Sequence, residues 1–542
     1  MFSKDVVKRF CVVWVSLVFA LVGCSGQPQT QGDQQQAQPQ QTAADDQQLK
    51  QGGVIKVAVN DDPPTLDQMS TGSSSAVNIA YHIFEQLFAL DQDLTVKPML
   101  AKGVDVSEDK KTYTIQLREG VKFHDGTAMN ADDVIASIKR WGSLSRFGKQ
   151  VSEKVQQVSK VDDYTIQIQL KEEYAPLLNV MAGPQEALII VPAEIAQAAG
   201  EKPLETNQLI GTGPYKFDRW EHGQYVSIKR FDDYAARDED WGGLTGKKVA
   251  YADEIRFIVI KDAQVRVNGL RTGEYDYAVR IPKDLYEQIK TFPEVKPIVT
   301  KPDSWLMLMP DKSEPPFDDV RLRKAINHAL DREKIGLATY GPPEFFQVDG
   351  SIFFPEQKDL YTTEGTEPYH EYDPEKAKQL MKEAGYDGQT IRMIATSSYE
   401  DHYNSAQAAA EMLKGVGFNV DLQFFEWATF VQKIKEPGNY DIWVSGFPPV
   451  YDLTLVLWVD PNYPGWWKSE RMQSLLDQWT KTIDPAEQKR LLVEVNKTVY
   501  EEFPLIKMVN EIGLEAASAK LQGYEDWLSM RFWNVAVSSE GN

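Results

Sequence analysis

Side chains able to do covalent or metal chemistry are scarce in this sequence. Its two cysteines, Cys11 and Cys24, both fall in the first 24 residues. A disulfide within the later chain, a cysteine-built zinc site and a thiolate nucleophile are therefore excluded there. The six histidines, His82, His124, His222, His328, His370 and His402, are well dispersed. His124-Asp125 could contribute to a metal site, but the adjoining Gly126 favours a turn. Asp132-Asp133 could be imagined as an acid and a base, yet the pair leads a helical pattern and suits its N-terminal dipole. Gly211-Thr212-Gly213-Pro214 resembles a phosphate loop until Pro214, which removes a backbone N–H where an anion would need one. No complete phosphate-loop, zinc-protease, nucleophile-elbow or calcium-loop motif occurs. No catalytic residue, metal or cofactor is expected.

What the chain has in quantity is aromatic area: 13 Trp, 23 Tyr and 23 Phe among 542 residues. Trp305, Trp427, Phe447, Tyr451 and Trp458 fall where loops after strands are expected, as do Trp466 and Trp467. In an open α/β sheet the crevice at the strands' carboxyl ends receives ligands, and aromatics there offer contact area with few rotors to freeze. Core or interdomain packing is the competing reading for each of them. Net charge argues in the same direction by exclusion. Lys+Arg 58 against Asp+Glu 80 leaves −22, which phosphate backbones would repel, so nucleic acid is not an expected partner. A well-solvated surface explains the acidity equally.

These side chains need elements to position them, and the length suggests about three domains at roughly 150 residues each. Val54 to Val59 reads as a strand stopped by Asn60-Asp61-Asp62-Pro63-Pro64. Tyr113, Ile115 and Leu117, and again Tyr164, Ile166, Ile168 and Leu170, alternate as half-buried strands do. The second half alternates helices and strands. Leu322, Ala325, Ile326, Ala329 and Leu330 follow helical spacing behind Asp318 or Asp319; Asp373-Pro374 opens a helix that Gly385 ends; Asp484-Pro485 opens another running to Pro504. Strand-like 390–395, a helix around 405–414, and strand-like 419–424 and 440–445 predict β-α-β units and a largely parallel sheet.

The first fifty residues differ in kind. Lys4, Lys8 and Arg9 precede the apolar run Phe10 to Gly23, too short to span a membrane but suited to an export signal. Leu21-Val22-Gly23-Cys24 resembles the lipobox of bacterial lipoproteins, which implies a signal peptide at 1–23 and a lipidated Cys24. Residues 24–50 then form a Gln-rich tether, which lacks the apolar area to offset its ordering entropy. As a flexible coil its reach is about 25–30 Å. The body past residue 50 is expected outside the cytoplasm, moored at a membrane surface.

The stretch KKTYTIQLREGVKFHDGTAMNADDVIASIKR at 110–140 is accompanied by Pro64-Thr65-Leu66-Asp67, the Ile210-to-Tyr215 turn, PPFDDVRLRKAINHALDREKI at 315–335, DPEKAKQLMKEAGY at 373–386 and FWNV at 532–535. The first of these resembles the signature, and the others further motifs, of the family 5 extracellular solute-binding proteins, the oligopeptide, dipeptide and nickel binders of ABC importers. The resemblance implies an α/β, two-lobed, periplasmic-binding-protein-like fold of the class II type, with an extra domain and mixed sheets. Domain I would comprise 51–93, 210–307 and 511–542, domain II 94–209, and the opposing domain III 308–510. It implies a monomer that closes around a peptide or similar small solute and delivers it to a membrane permease with its ATPase subunits, without acting as an enzyme. The signature's own residues, with Arg323 and Asp331, are read as scaffold.

In peptide-binding relatives an aspartate in the loop after the strand at 440–445 holds the ligand's ammonium. Here Val450 occupies that position and Asp452 follows two residues later, so either Asp452 substitutes or the ligand differs. The expected ligand-binding residues are Trp305, Trp427, Phe447, Tyr451, Asp452 and Trp458. A nickel chelate, haem, opine or oligosaccharide on the same frame is the alternative ligand set. A surface hydrolase of glycans or peptides is the alternative of another class, and a sensing role without import a third.

Overall fold

The computed structural model describes residues 49–538, and the expectations for the export signal, Cys24 and most of the tether lie outside the described residues. The elements follow from local chemistry. The strand Thr112–Leu117 buries every second side chain, as does Thr165–Leu170, and the two pair antiparallel within a four-stranded sheet. Asp373 caps the helix Pro374–Ala384, Pro374 takes its first turn, and Gly385 ends it in the left-handed conformation that costs glycine least. The helical run behind Asp319 is broken: Val320–Ala329 stops at extended Leu330, and Asp331 caps a second helix, Arg332–Tyr340.

The family-like motifs meet as scaffold. Arg140, at the end of the signature stretch, forms a fully buried ion pair with Asp67, whose carboxylate also accepts from Leu204 N–H. His124 Nε2 lies 3.0 Å from the Gly213 carbonyl, and Gly211 N–H donates to its Nδ1. The Gly211–Pro214 turn presses on the helix Ser74–Ile83, where a Cβ on Gly211 would come within 2.1 Å of the Ile83 carbonyl oxygen. This turn holds chain segments together, as its proline suggested.

An eleven-stranded mixed sheet runs through the molecule. At one end Asn419–Phe425, Thr390–Thr396 and Ile442–Phe447 lie parallel, and Ile442–Phe447 then pairs antiparallel with the long strand Val295–Pro310. The three strands of the expected β-α-β units are thus parallel to one another, and the antiparallel strands beside them make the sheet mixed rather than largely parallel. At the other end Val54–Val59 lies between Glu254–Val259 and Tyr277–Ala278, parallel to both. Two long strands, Val295–Pro310 and Ile506–Ser518, join the ends. Ile442–Phe447 pairs only with residues 305–310 of the first, and Tyr277–Ala278 only with residues 516–517 of the second. Between those pairings the sheet narrows to a waist, irregular between Val299 and Pro302 and again between Pro302 and Ser304. Bulges bend strands and interrupt their ladder, and Pro302 has no N–H to give it.

Two hydrophobic cores form. One gathers Ile55, Phe123, Trp141 and Ile166; the other gathers Met307, Ile394, Trp443 and Leu492 and runs across the waist to Ala58, Leu270 and Ala278. Segment 450–459 serves both: Tyr451 and Leu455 pack into the first, Leu453 and Trp458 into the second. The molecule is therefore two-lobed, with a bridging loop beside its waist.

Candidate functional site

Strand direction decides where a site can form. The three parallel strands of the second lobe end at Thr396, Phe425 and Phe447, and antiparallel pairing puts Trp305 opposite Phe447 and Ser304 opposite Glu511. In the first lobe Tyr277–Ala278 also runs toward the waist, where Ile281 N–H bonds the Leu514 carbonyl. The carboxyl ends of parallel strands in both lobes thus converge on the waist, the position open α/β sheets use for ligands.

Charged and aromatic side chains meet there. Glu511 accepts from Lys283 Nζ at 3.0 Å and from Ser304 Oγ at 2.9 Å. Lys283 Nζ lies 3.8 Å from the centre of the Tyr340 ring, within cation–π range. Asp303 stays solvent-accessible, yet loss of surrounding water pushes its carboxyl up to about 7, reinforced by Glu511 and opposed by Arg280 and Lys283. Asp401 opens the helix Glu400–Val416, and burial, then Glu511, raises its carboxyl against the pull of His402. Burial lowers His402, which Asp401 opposes, and its Nδ1 is buried without a hydrogen-bond partner.

Deeper in the first lobe, burial raises Glu515 to about 7 and Asp526 to about 6. Tyr277 donates to Glu515, and its hydroxyl lies 2.6 Å from that of Tyr524. Among the described residues no three His, Cys, Asp or Glu side chains converge closely enough to ligate a metal ion.

The six expected ligand residues divide into two groups. Trp305 and Phe447 lie in strands rather than loops, with ring centres 5.3 Å apart. Trp305 is buried, with Lys507 Nζ 5.3 Å from its ring, and burial lowers that ammonium to about 7. Trp427 is 40% exposed, packed edge-on to Tyr399, itself 45% exposed, and 6.4 Å from His402. His402 Nε2 in turn sits beside Gly446, next to Phe447. These three aromatics border the carboxylate group.

Tyr451, Asp452 and Trp458 are buried in the bridging loop. The Asp452 carboxylate accepts from Trp479 Nε1 at 3.1 Å, Asn179 Nδ2 at 3.3 Å, and Thr454 N–H and Oγ1. Asn179 belongs to the first core's chain segment and Trp479 to the second's, so Asp452 ties the two together. Its acceptor capacity is largely spent on protein. Asp303, Tyr340, Asp401 and Glu511 were not singled out from the sequence, since no motif joins residues so far apart in the chain. Two surface depressions, one around Lys102, Gln116 and Tyr164 and one around Ser469 and Asp477, lie on other elements.

Two lobes joined by a pair of crossing strands, with the parallel strands' carboxyl ends facing each other across the waist, define a binding protein of the periplasmic type. Residues 95–458 match the profile described as bacterial extracellular solute-binding proteins, family 5 Middle, and the chain belongs to that family. It is 29% identical over 486 residues to a probable peptide ABC transporter periplasmic-binding protein of Sinorhizobium fredii, covering 86% of this chain and 91% of the relative. It is 27% identical over 493 residues to the glutathione-binding protein GsiB of Escherichia coli strain K12, covering 87% and 91%. The solved structure of the PBP AgaA from A. tumefaciens R10 in complex with agropinic acid superposes with a TM-score of 0.73 at 25% identity, covering 90% of this chain and 99% of that one. No helix among the described residues is long and apolar enough to cross a membrane.

Proposed function

We propose that this protein is the lipid-anchored substrate-binding component of an ABC importer, capturing peptides or a similar small solute between its lobes and handing them unaltered to a permease with its ATPase subunits. The narrow, bulged waist carries this reading, because a stretch of only two irregularly paired strands gives closure a place to bend. Segments 51–93, 210–307 and 511–542 act as domain I, 94–209 as domain II and 308–510 as domain III. Cys24 carries the acyl chains and residues 24–50 the tether, so a monomeric clamp works at the outer face of a membrane.

The names of the relatives support a peptide ligand. The likeness to the agropinic acid complex favours a second reading, an opine-like solute on the same frame. A solute can close the lobes only by as much as it binds the closed form better.

A thermal-shift screen of the purified protein against short peptides, opines, sugars and metal chelates tests this. A true ligand at one hundred times its Kd stabilises the fold by about 2.7 kcal/mol and is recovered chemically intact. Turnover of a probe, with no solute raising the melting temperature, would refute the importer reading.

A further inference from the structure

Asp452, the nearest candidate for an ammonium grip in the bridging loop, is occupied by Trp479, Thr454 and Asn179. The waist offers carboxylates of a different origin. Asp303 and Glu511 come from the two crossing strands and Asp401 from the first turn of the helix Glu400–Val416. Of the protein cations beside them, Lys283 is committed to Glu511 and Arg280 donates to Ser74 Oγ at 3.1 Å. Three carboxylates therefore face two cations that already have partners, with His402 Nε2 3.9 Å from Asp401.

An independent observation points to a ligand. Tyr340 is only 5% exposed and its hydroxyl has no hydrogen-bond partner. Its ring is under Lys283, and its oxygen lies in the field of Glu511, Asp401 and Asp303 together. A buried hydroxyl without a partner carries a desolvation cost that an incoming N–H donor would relieve. Tyr399 and Trp427, the exposed aromatic pair beside His402, supply faces on which a cation or its alkyl stem can rest.

We infer that the solute of this protein carries a cationic N–H group, an ammonium or guanidinium, which seats against Asp303, Asp401 and Glu511 with the Tyr340 hydroxyl and is flanked by Tyr399 and Trp427. The inference rests on the solute-clamp reading and names its ligand class. Dehydration of Asp303 and Asp401 has the sense this requires: it raises both carboxyls, and a cation brought beside them opposes that rise.

Calorimetric titration of the full chain tests it with matched N-acetylated tripeptides, in which the side chain is the only cation: acetyl-Ala-Lys-Ala and acetyl-Ala-Arg-Ala, their neutral isostere with norleucine and an acidic analogue with glutamate, with the unacetylated norleucine peptide added as a probe whose cation is its terminal ammonium. The expected result is that a cationic probe binds at least tenfold more tightly than its neutral isostere. Asp303→Asn and Asp401→Asn, checked for folding by circular dichroism, should each erase most of that preference while leaving the isostere's affinity unchanged. Tyr340→Phe should weaken the cationic probe alone. Binding of the neutral or acidic probes with no cationic preference would overturn this inference and leave the solute clamp standing. Failure of every probe, together with no solute of the thermal-shift screen raising the melting temperature, would overturn both.

Discussion

At the scale of single residues the molecule keeps several ionisable groups in the state that water would not favour. His82 is fully buried among Tyr215, Phe257, Phe532 and Trp533. Its Nδ1 bonds the Asn78 carbonyl and its Nε2 accepts the Phe532 N–H, each at 3.0 Å, so both nitrogens are used by the neutral ring. Burial pushes its pKa down to about 3. Between that value and the unfolded value of about 6.5, the unfolded chain takes up a proton the native ring refuses. Stability from this group is complete above 6.5 and falls with pH below it, by up to about 1.4 kcal/mol per pH unit. Asp303, Glu515 and Asp526 act with opposite sign, since their raised values make the native state hold protons that the unfolded chain releases as pH climbs toward 7. The histidine is isolated by difference. Urea unfolding of wild type and His82→Gln should show a stability gap that shrinks by a few kcal/mol at most from pH 6.5 to 4.5; a constant gap would show that His82 does not titrate this way.

At the scale of elements the crossing strands matter most. Gly513 lies in the two-strand waist, its N–H bonded to Thr300 Oγ1 at 2.8 Å, and a Cβ there would meet that oxygen at 2.9 Å. Gly513→Ala should destabilise by about 1–3 kcal/mol through overpacking, and Thr300→Ala by about 1 kcal/mol through loss of the bond. The double variant should cost less than the two together, because each change removes part of what the other disturbs. Additive urea midpoints would show that the two residues do not interact.

Elements of this kind were unevenly legible in the sequence. Pro374–Ala384 was readable because cap, proline and terminal glycine mark its ends, and Thr112–Leu117 because one face is polar. Trp305 and Phe447 were expected in loops. Trp305 begins the run Trp305-Leu306-Met307-Leu308-Met309, whose residues are buried on both faces, so no alternation marks it as a strand. The break at Leu330 was signalled only by Asp331, which resumes the helix as a new cap.

At the scale of the whole molecule, the two-lobed frame was legible through ordered motifs, and the structure gives several of them physical work. Asp67 with Arg140, and His124 with the Gly211–Pro214 turn, hold distant segments of one lobe together. The group of carboxylates at the waist was not legible. Asp303 and Glu511 meet only because two strands far apart in sequence pair antiparallel, and Tyr340 and Asp401 join them from helix ends in the opposing lobe. The bridging loop was read from its aspartate, but Asp452 binds protein on both sides.

Small-angle X-ray scattering of the full chain, with and without a solute that binds in calorimetry, tests lobe closure most directly. The account predicts a smaller radius of gyration and a shorter maximum dimension when the solute is bound. A bound solute that leaves the scattering curve unchanged would contradict it.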